Sequence, residues 1–295
     1  MIKNSYIFCL LFVSLFLSGC DNDRSNEREL QSQELAKRSL DNMVTVKGGD
    51  FLMGDFGPLV GEKLPFSMNR DDKTLHKVEL SDFAISRYKV TNKDFNQYLK
   101  IENKNKLPPS LWQKEVLADN FSVSVPWQMA KDYCLWLGKV SGKKVDLPTE
   151  AQWEFAARSR GQYLPYATSN GKLEPGVNIP TYEEKQKMSG GVGLPFYPVG
   201  KYPPSPLGLY DMGLSGREWT NDWYAADYYQ NSPIKNPQGP AEGVTKVSRG
   251  YIGGDYQYAL TIFRQSVKPV PVLDGYKYED TGLSPDYVFR CVVNN

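Results

Sequence analysis

Between Gly161 and Pro206 the chain places seven glycines and eight prolines in 46 residues. Proline fixes φ and removes a backbone donor, and glycine raises the entropic cost of any regular conformation, so no long helix or strand fits here. Such a stretch is either disordered or a set of loops organised by ions and aromatic side chains. Tyr163, Tyr166, Tyr182, Phe196, Tyr197 and Tyr202 are spread through it, which favours ordered loops. The rest of the chain agrees. Over 295 residues, 40% are apolar, 23% charged and 13% aromatic, which excludes a disordered or collagenous chain and leaves one large domain or two small ones.

Lysine and arginine number 35 against 34 aspartates and glutamates. The one excess cation, Lys3, lies in an N-terminal leader, so the remainder is neutral and has no field to attract nucleic acid by counterion release. The single histidine, His76, excludes chemistry that needs several imidazoles. A lone histidine opening a strand reads as a surface or capping residue in preference to a ligand, and no G-x-S-x-G elbow accompanies it.

Residues 1–19 read as a signal peptide, with Lys3 as the n-region and Ile7 to Leu17 as an apolar core too short for a membrane span. Leu17-Ser18-Gly19-Cys20 resembles a bacterial lipobox, so Cys20 is expected to carry lipid and to anchor the chain on the periplasmic side of a membrane. Asp21 favours the inner membrane. Residues 20–42 are polar and free of aromatics, and read as the lipidated cysteine plus a flexible tether, with a transient helix in its second half. The globular domain then runs over 43–295. Of the remaining cysteines, Cys134 and Cys291 are either two buried thiols or a disulfide, and an oxidising compartment favours the bond.

Along that domain, Val44 to Met53 alternates around Gly48-Gly49 as a hairpin, and Lys77 to Ile85 as a further strand. Thr91 caps a helix that turns Phe95, Tyr98 and Leu99 inward. Pro126 opens another, with Trp127, Ala130, Cys134 and Leu137 on one face and Gly142 at its end. Thr149 and Gln152 form a capping box for a helix carrying Trp153, Phe155 and Ala156, ended by Gly161. Short strand-like runs follow Trp219, ending in Tyr287 to Val293. Helices early and strands late predict an α+β class with much irregular structure.

Eight local strings then coincide in order: GGDFLMG from Gly48, YKVTNKDF from Tyr88, VPWQMAKDYCLWL from Val125, LPTEAQWEFAAR from Leu147, GLYDM from Gly208, REWTNDWY from Arg217, SRG from Ser248 and VFRCV from Val288. Across about residues 43–295 the chain resembles the formylglycine-generating-enzyme, or sulfatase-modifying factor, family. The resemblance implies a variant of the C-type-lectin-like fold. It also implies that Cys134 and Cys291 correspond to the family's structural disulfide.

Function is another matter, because a fold hosts several chemistries. The family's oxidases bind Cu(I) with two cysteines five apart, shortly after Arg-Gly-Gly. Here RGYIGGDYQYALTIFR (Arg249 to Arg264) carries Asp255 and Leu260 at those positions and Tyr251 in place of the second glycine. Oxygen does not replace thiolate for Cu(I), so no copper is expected. The iron-dependent members need several histidines, so no iron is expected either. The resemblance does imply a calcium ion held by Asp211, the carbonyls of Leu214 and Gly216, and Glu218, an oxygen set suited to a hard cation. The alternative is that Glu218 caps backbone amides or pairs with Arg217 or a neighbouring cation. A second calcium site would begin at Asn178 and Ile179, but the later carboxylate is missing. Tyr251, Asp255, Tyr256, Tyr258 and Arg264, which stand where the oxidase's active segment would be, are expected to line a groove for a protein partner. The tryptophans mostly sit inside the eight strings and read as core.

These readings predict a non-catalytic, lipid-anchored periplasmic protein that recognises a protein partner, as a component of a secretion or envelope assembly or as an immunity protein against a toxin. The alternatives are an enzyme of other chemistry in a remodelled cleft and a glycan-binding module.

Overall fold

The computed structural model describes residues 17–108, 117–188, 196–250, 256–272, 275–282 and 286–295, and the side chains of its first helix from Arg24 onward. That helix, α1 (Leu17–Asp41), replaces the expected tether. Leu35 and Ala36 are buried against α2 (Asn92–Ile101) and α3 (Trp127–Ser141), with Leu40 partly buried beside them. Arg38 donates to Asp94 at 2.7 Å and to Gln97 at 2.9 Å. The tether reading failed because so few apolar side chains dock this helix, and their neighbours are all polar. The ordered domain therefore starts well before Met43.

Three sheets follow. The first has the order β1 (Met43–Val46), β4 (Phe83–Ser86), β10 (Val292–Asn294), β5 (Lys144–Asp146), all antiparallel, and joins both ends of the domain. The second pairs β2 (Gly49–Met53) with β3 (His76–Leu80). The third has the order β8 (Arg264–Val267), β7 (Lys246–Arg249), β6 (Arg217–Trp223), β9 (Tyr287–Val288), with β6 and β9 parallel. The expected hairpin over Val44–Met53 is instead a corner, since β1 and β2 join different sheets. At that corner a Cβ on Gly48 would stand 2.2 Å from the Leu80 carbonyl oxygen, so only glycine fits. The strand expected over Lys77–Ile85 is likewise divided between β3 and β4.

The helix punctuation is as the sequence predicts. The Asp94 amide donates to Thr91 Oγ1 at 3.2 Å. Pro126 caps α3, and Gly142 ends it in the left-handed conformation, φ 69°. The box before α4 (Glu150–Ala157) closes in both directions, at 3.0 Å and 3.1 Å. Cys134 on α3 is bonded to Cys291 beside β10, closing 157 residues of chain. In the chain-entropy picture a loop of that size corresponds to about 5 kcal/mol.

The proline- and glycine-rich middle is ordered through side chains wherever it is described. Asn178 donates to Asn170 Oδ1 and the Lys172 carbonyl, and accepts from the Glu174 amide. Tyr197 and Tyr202 pack edge to face. One helix, α5 (Tyr182–Met188), runs through it, and α6 (Tyr228–Asn231) and α7 (Tyr278–Thr281) are single turns later in the chain.

Candidate functional site

The string LPTEAQWEFAAR becomes α4, and it spaces Glu150, Glu154 and Arg158 four residues apart on one face of a helix. In water these would form a modest ladder, but here all three side chains are buried. Glu150 takes Arg264 bidentately, Nε at 2.9 Å and Nη2 at 2.8 Å, and also accepts from Arg249 at 2.8 Å and from Tyr229 at 3.1 Å. Arg249 continues to Glu154 at 2.7 Å, and Glu154 to Arg158 at 2.8 Å. The Gly54 amide closes the chain on Glu154. Burial pushes the Glu150 carboxyl up, but Arg264 and Arg249 pull harder and hold it below the usual range. Buried guanidinium–carboxylate forks of this kind are stable only with every donor and acceptor in place. Beside them Asp222 accepts the Glu150 amide at 2.8 Å, and its own carboxyl is raised to about 8, by burial first and by the Glu150 charge second.

Above this chain opens a cleft of about 700 Å³, lined by Asn69, Arg70, Asp71, Tyr224, Asp227 and Arg264 among others. Arg264 forms its floor, lying 4.9 Å from the Tyr224 ring and 4.4 Å from the Tyr229 ring. Tyr224 donates to Asp71 at 2.8 Å across the cleft. The loop leading into the cleft exposes Leu64, Phe66 and Met68, at 63%, 38% and 87%.

The residues expected to line a partner groove divide accordingly. Tyr251 and Asp255 lie outside the described residues, and Tyr256 begins a short turn of helix, Tyr256–Ala259. Tyr258 packs edge to face on Phe263 at 4.9 Å, with Phe56 and Leu260 in the same cluster, and so belongs to the core. Arg264 does reach the cleft, but its charge is satisfied by Glu150. His76 Nδ1 lies 3.1 Å from the Thr74 carbonyl, its ring packs on Tyr229, and its buried Nε2 has no hydrogen-bond partner among the described residues.

The residues expected to hold calcium do converge, around a cation the sequence reading overlooked. Lys89, fully buried, donates to the Leu214 carbonyl and, at 3.0 Å, to the Ser215 carbonyl, and lies 4.0 Å from Glu218. Ser215 thus supplies the carbonyl assigned to Gly216. Glu218 is forked onto Arg290, Oε2 to Nε at 2.5 Å and Oε1 to Nη2 at 3.0 Å. Asp211 accepts the Gly200 amide through Oδ2 at 2.8 Å, while its buried Oδ1 has no hydrogen-bond partner. Burial pulls the Lys89 ammonium down to about 8 against the upward pull of Glu218 and Asp211, so it is charged at neutral pH. Two carboxylates facing two cations leave no net charge for a divalent ion to neutralise, and the residues as they stand do not fit calcium. The signal in the sequence was a lysine inside YKVTN, with Val90 beside it in the core.

A third cation is held differently. Lys246 stands 3.7 Å from the Trp127 ring and 3.6 Å from that of Trp223, partly desolvated, and burial lowers its pKa to about 8. Trp153 and Trp219 are fully buried, as the core reading expected.

Comparison with known proteins agrees with this architecture. A serine/threonine-protein kinase, pkn1, of Chlamydia pneumoniae is 33% identical over 72% of the chain but 33% of its own length; the chain spans about a third of such Chlamydia relatives. The formylglycine-generating enzyme of Streptomyces coelicolor is 28% identical over 72% of the chain and 79% of its own length. Among solved structures, PvdO from Pseudomonas aeruginosa superposes with a TM-score of 0.64 over 86% of this chain and 94% of its own, at 24% identity, a likeness of fold. The sulfatase-modifying factor enzyme 1-like domain matches residues 28–294, which also includes most of α1, and the chain belongs to that formylglycine-generating-enzyme-like family.

Proposed function

We propose that the protein is a non-catalytic member of this family that binds a protein partner at the cleft floored by Arg264, presented on the periplasmic side of a membrane by lipid on Cys20. One observation carries the reading. An exposed apolar ridge, Leu64, Phe66 and Met68, runs directly into a polar cleft edged by Asn69, Arg70 and Asp71. An apolar centre with a hydrogen-bonding rim is the anatomy of a protein interface, and methionine and aromatic residues are enriched at such centres. The partner face proposed here is the loop around Leu64, Phe66 and Met68, in place of the tyrosines of the 251–258 segment. Arg249 to Arg264 contains no cysteine, and the two cysteines of the domain are joined in a disulfide, so the segment offers no thiolate pair for Cu(I).

The test is capture from envelope extracts with the wild-type protein and with a Phe66→Ala/Met68→Glu double variant. One stoichiometric protein held by the wild type and released by the variant is expected, and its identity distinguishes an assembly component from a toxin. Equal capture by both proteins would remove the ridge from the argument. With no net charge outside the leader, the complex should respond weakly to salt.

A further inference from the structure

We propose that the ammonium of Lys89 is an internal substitute for a divalent cation in the 211–218 turn, making the domain independent of calcium there and leaving a latent calcium site beneath the lysine. The residues around it form an oxygen cage built to face a cation. Asp211, Gly213, Ser215 and Gly216 all have positive φ, at 56°, 75°, 51° and 111°. Four such residues among six curl the backbone tightly, and two of them are non-glycine residues in a region L-residues rarely occupy. The curl turns the Leu214 and Ser215 carbonyls onto one point, and Lys89 Nζ occupies it. An ammonium offers three donors from a compact charge, which suits a cage of carbonyls better than a planar guanidinium would.

Charge and unused coordinating capacity support the same conclusion. Asp211 is 7% exposed, and its Oδ1 is buried without a partner, an oxygen available to a cation that binds more oxygens than an ammonium can. With Lys89 and Arg290 both present, Asp211 and Glu218 are balanced, and a calcium ion would add two uncompensated charges to a dry site. Replacing Lys89 with glutamate removes one positive charge and adds a carboxylate. The new carboxylate, the unpartnered Asp211 Oδ1 and the Leu214 and Ser215 carbonyls are then hard oxygen donors with one cation fewer among them, the donor type calcium takes. The inference is independent of the partner reading, since it concerns the fold's internal ions.

The experiment is thermal unfolding of the purified protein, with calcium chloride or a chelator, together with isothermal titration of calcium. The wild type should unfold at the same temperature in both conditions and take up no stoichiometric calcium. Lys89→Glu should unfold earlier in chelator, bind one calcium per chain, and gain about 5–10 °C when calcium is about a hundredfold above its dissociation constant. Lys89→Gln, one atom shorter and uncharged, should show a smaller gain of the same sign. A wild type that binds one calcium with a comparable rise would overturn the proposal without reference to any variant. So would Lys89→Glu and Lys89→Gln that both fold yet gain nothing from calcium, or that both stay unfolded at every calcium concentration.

Discussion

Two clusters of buried charge touch opposite parts of Trp153, and they are built in contrasting ways. In one, Arg264, Glu150, Arg249, Glu154 and Arg158 alternate in a continuous chain of ion pairs, with Arg249 lying 5.1 Å from the Trp153 ring and only its Nε left without a partner. In the other, next to Gly213, the Glu218–Arg290 fork is equally tight, but Asp211 keeps an unpaired oxygen and Lys89 sits as a point charge among carbonyls. The contrast separates two uses of buried ions. Planar forks fix geometry and tolerate no loss, whereas a compact ammonium in an oxygen cage fills a space that another cation could fill.

The largest effect should come from breaking the continuous chain of ion pairs. Glu150→Ala strands Arg264 in a buried site and leaves Arg249 with the carboxylate of Glu154 alone, and should lower stability by about 3–5 kcal/mol in urea unfolding. Lys89→Met should cost less, about 1–3 kcal/mol, because Glu218 keeps Arg290 and only the Leu214 and Ser215 carbonyls lose their donor. If the two losses are equal, the distinction between the clusters collapses. Thr149→Ala leaves every ion in place and removes only the cap of α4, so a loss of about 1 kcal/mol is expected by the same measurement. A much larger loss would mean that the ion chain depends on the helix end.

Asp222→Asn tests slope in preference to size. Burial raises the Asp222 carboxyl to about 8 in the fold from 3.8 unfolded, so the folded state holds the extra proton between those values. Wild-type stability should therefore carry a component that declines as pH rises from about 4 to about 8. The asparagine keeps an acceptor for the Glu150 amide and should lack that component. The variant-minus-wild-type difference should grow through this window and level off above it.

Much of the fold was legible because its signals are local. Thr91, Gly142 and the Thr149–Gln152 box act within one turn of chain, and periodicity placed Ala130, Cys134 and Leu137 on one face. The β1–β2 corner was not legible, since alternation specifies which side chains turn inward but not which sheet a strand joins. The site divided in the same way. Asp211, Leu214, Gly216 and Glu218 were named together for calcium, yet the cation beside Leu214 and Glu218 comes from Lys89, more than a hundred residues away in sequence. Glu150, Glu154 and Arg249 were visible as parts of motifs, but nothing in their spacing said that they pair with one another.

The docked first helix has a mechanical consequence. A flexible segment of comparable length would let the domain roam over a radius of about 5–6 Å times the square root of its residue number. A helix instead advances about 1.5 Å per residue and resists bending. With Leu35 and Ala36 locked against α2 and α3, α1 acts as a strut and not a leash. The orientation of α1 relative to α2 and α3 is thus fixed by packing and not left to chain entropy.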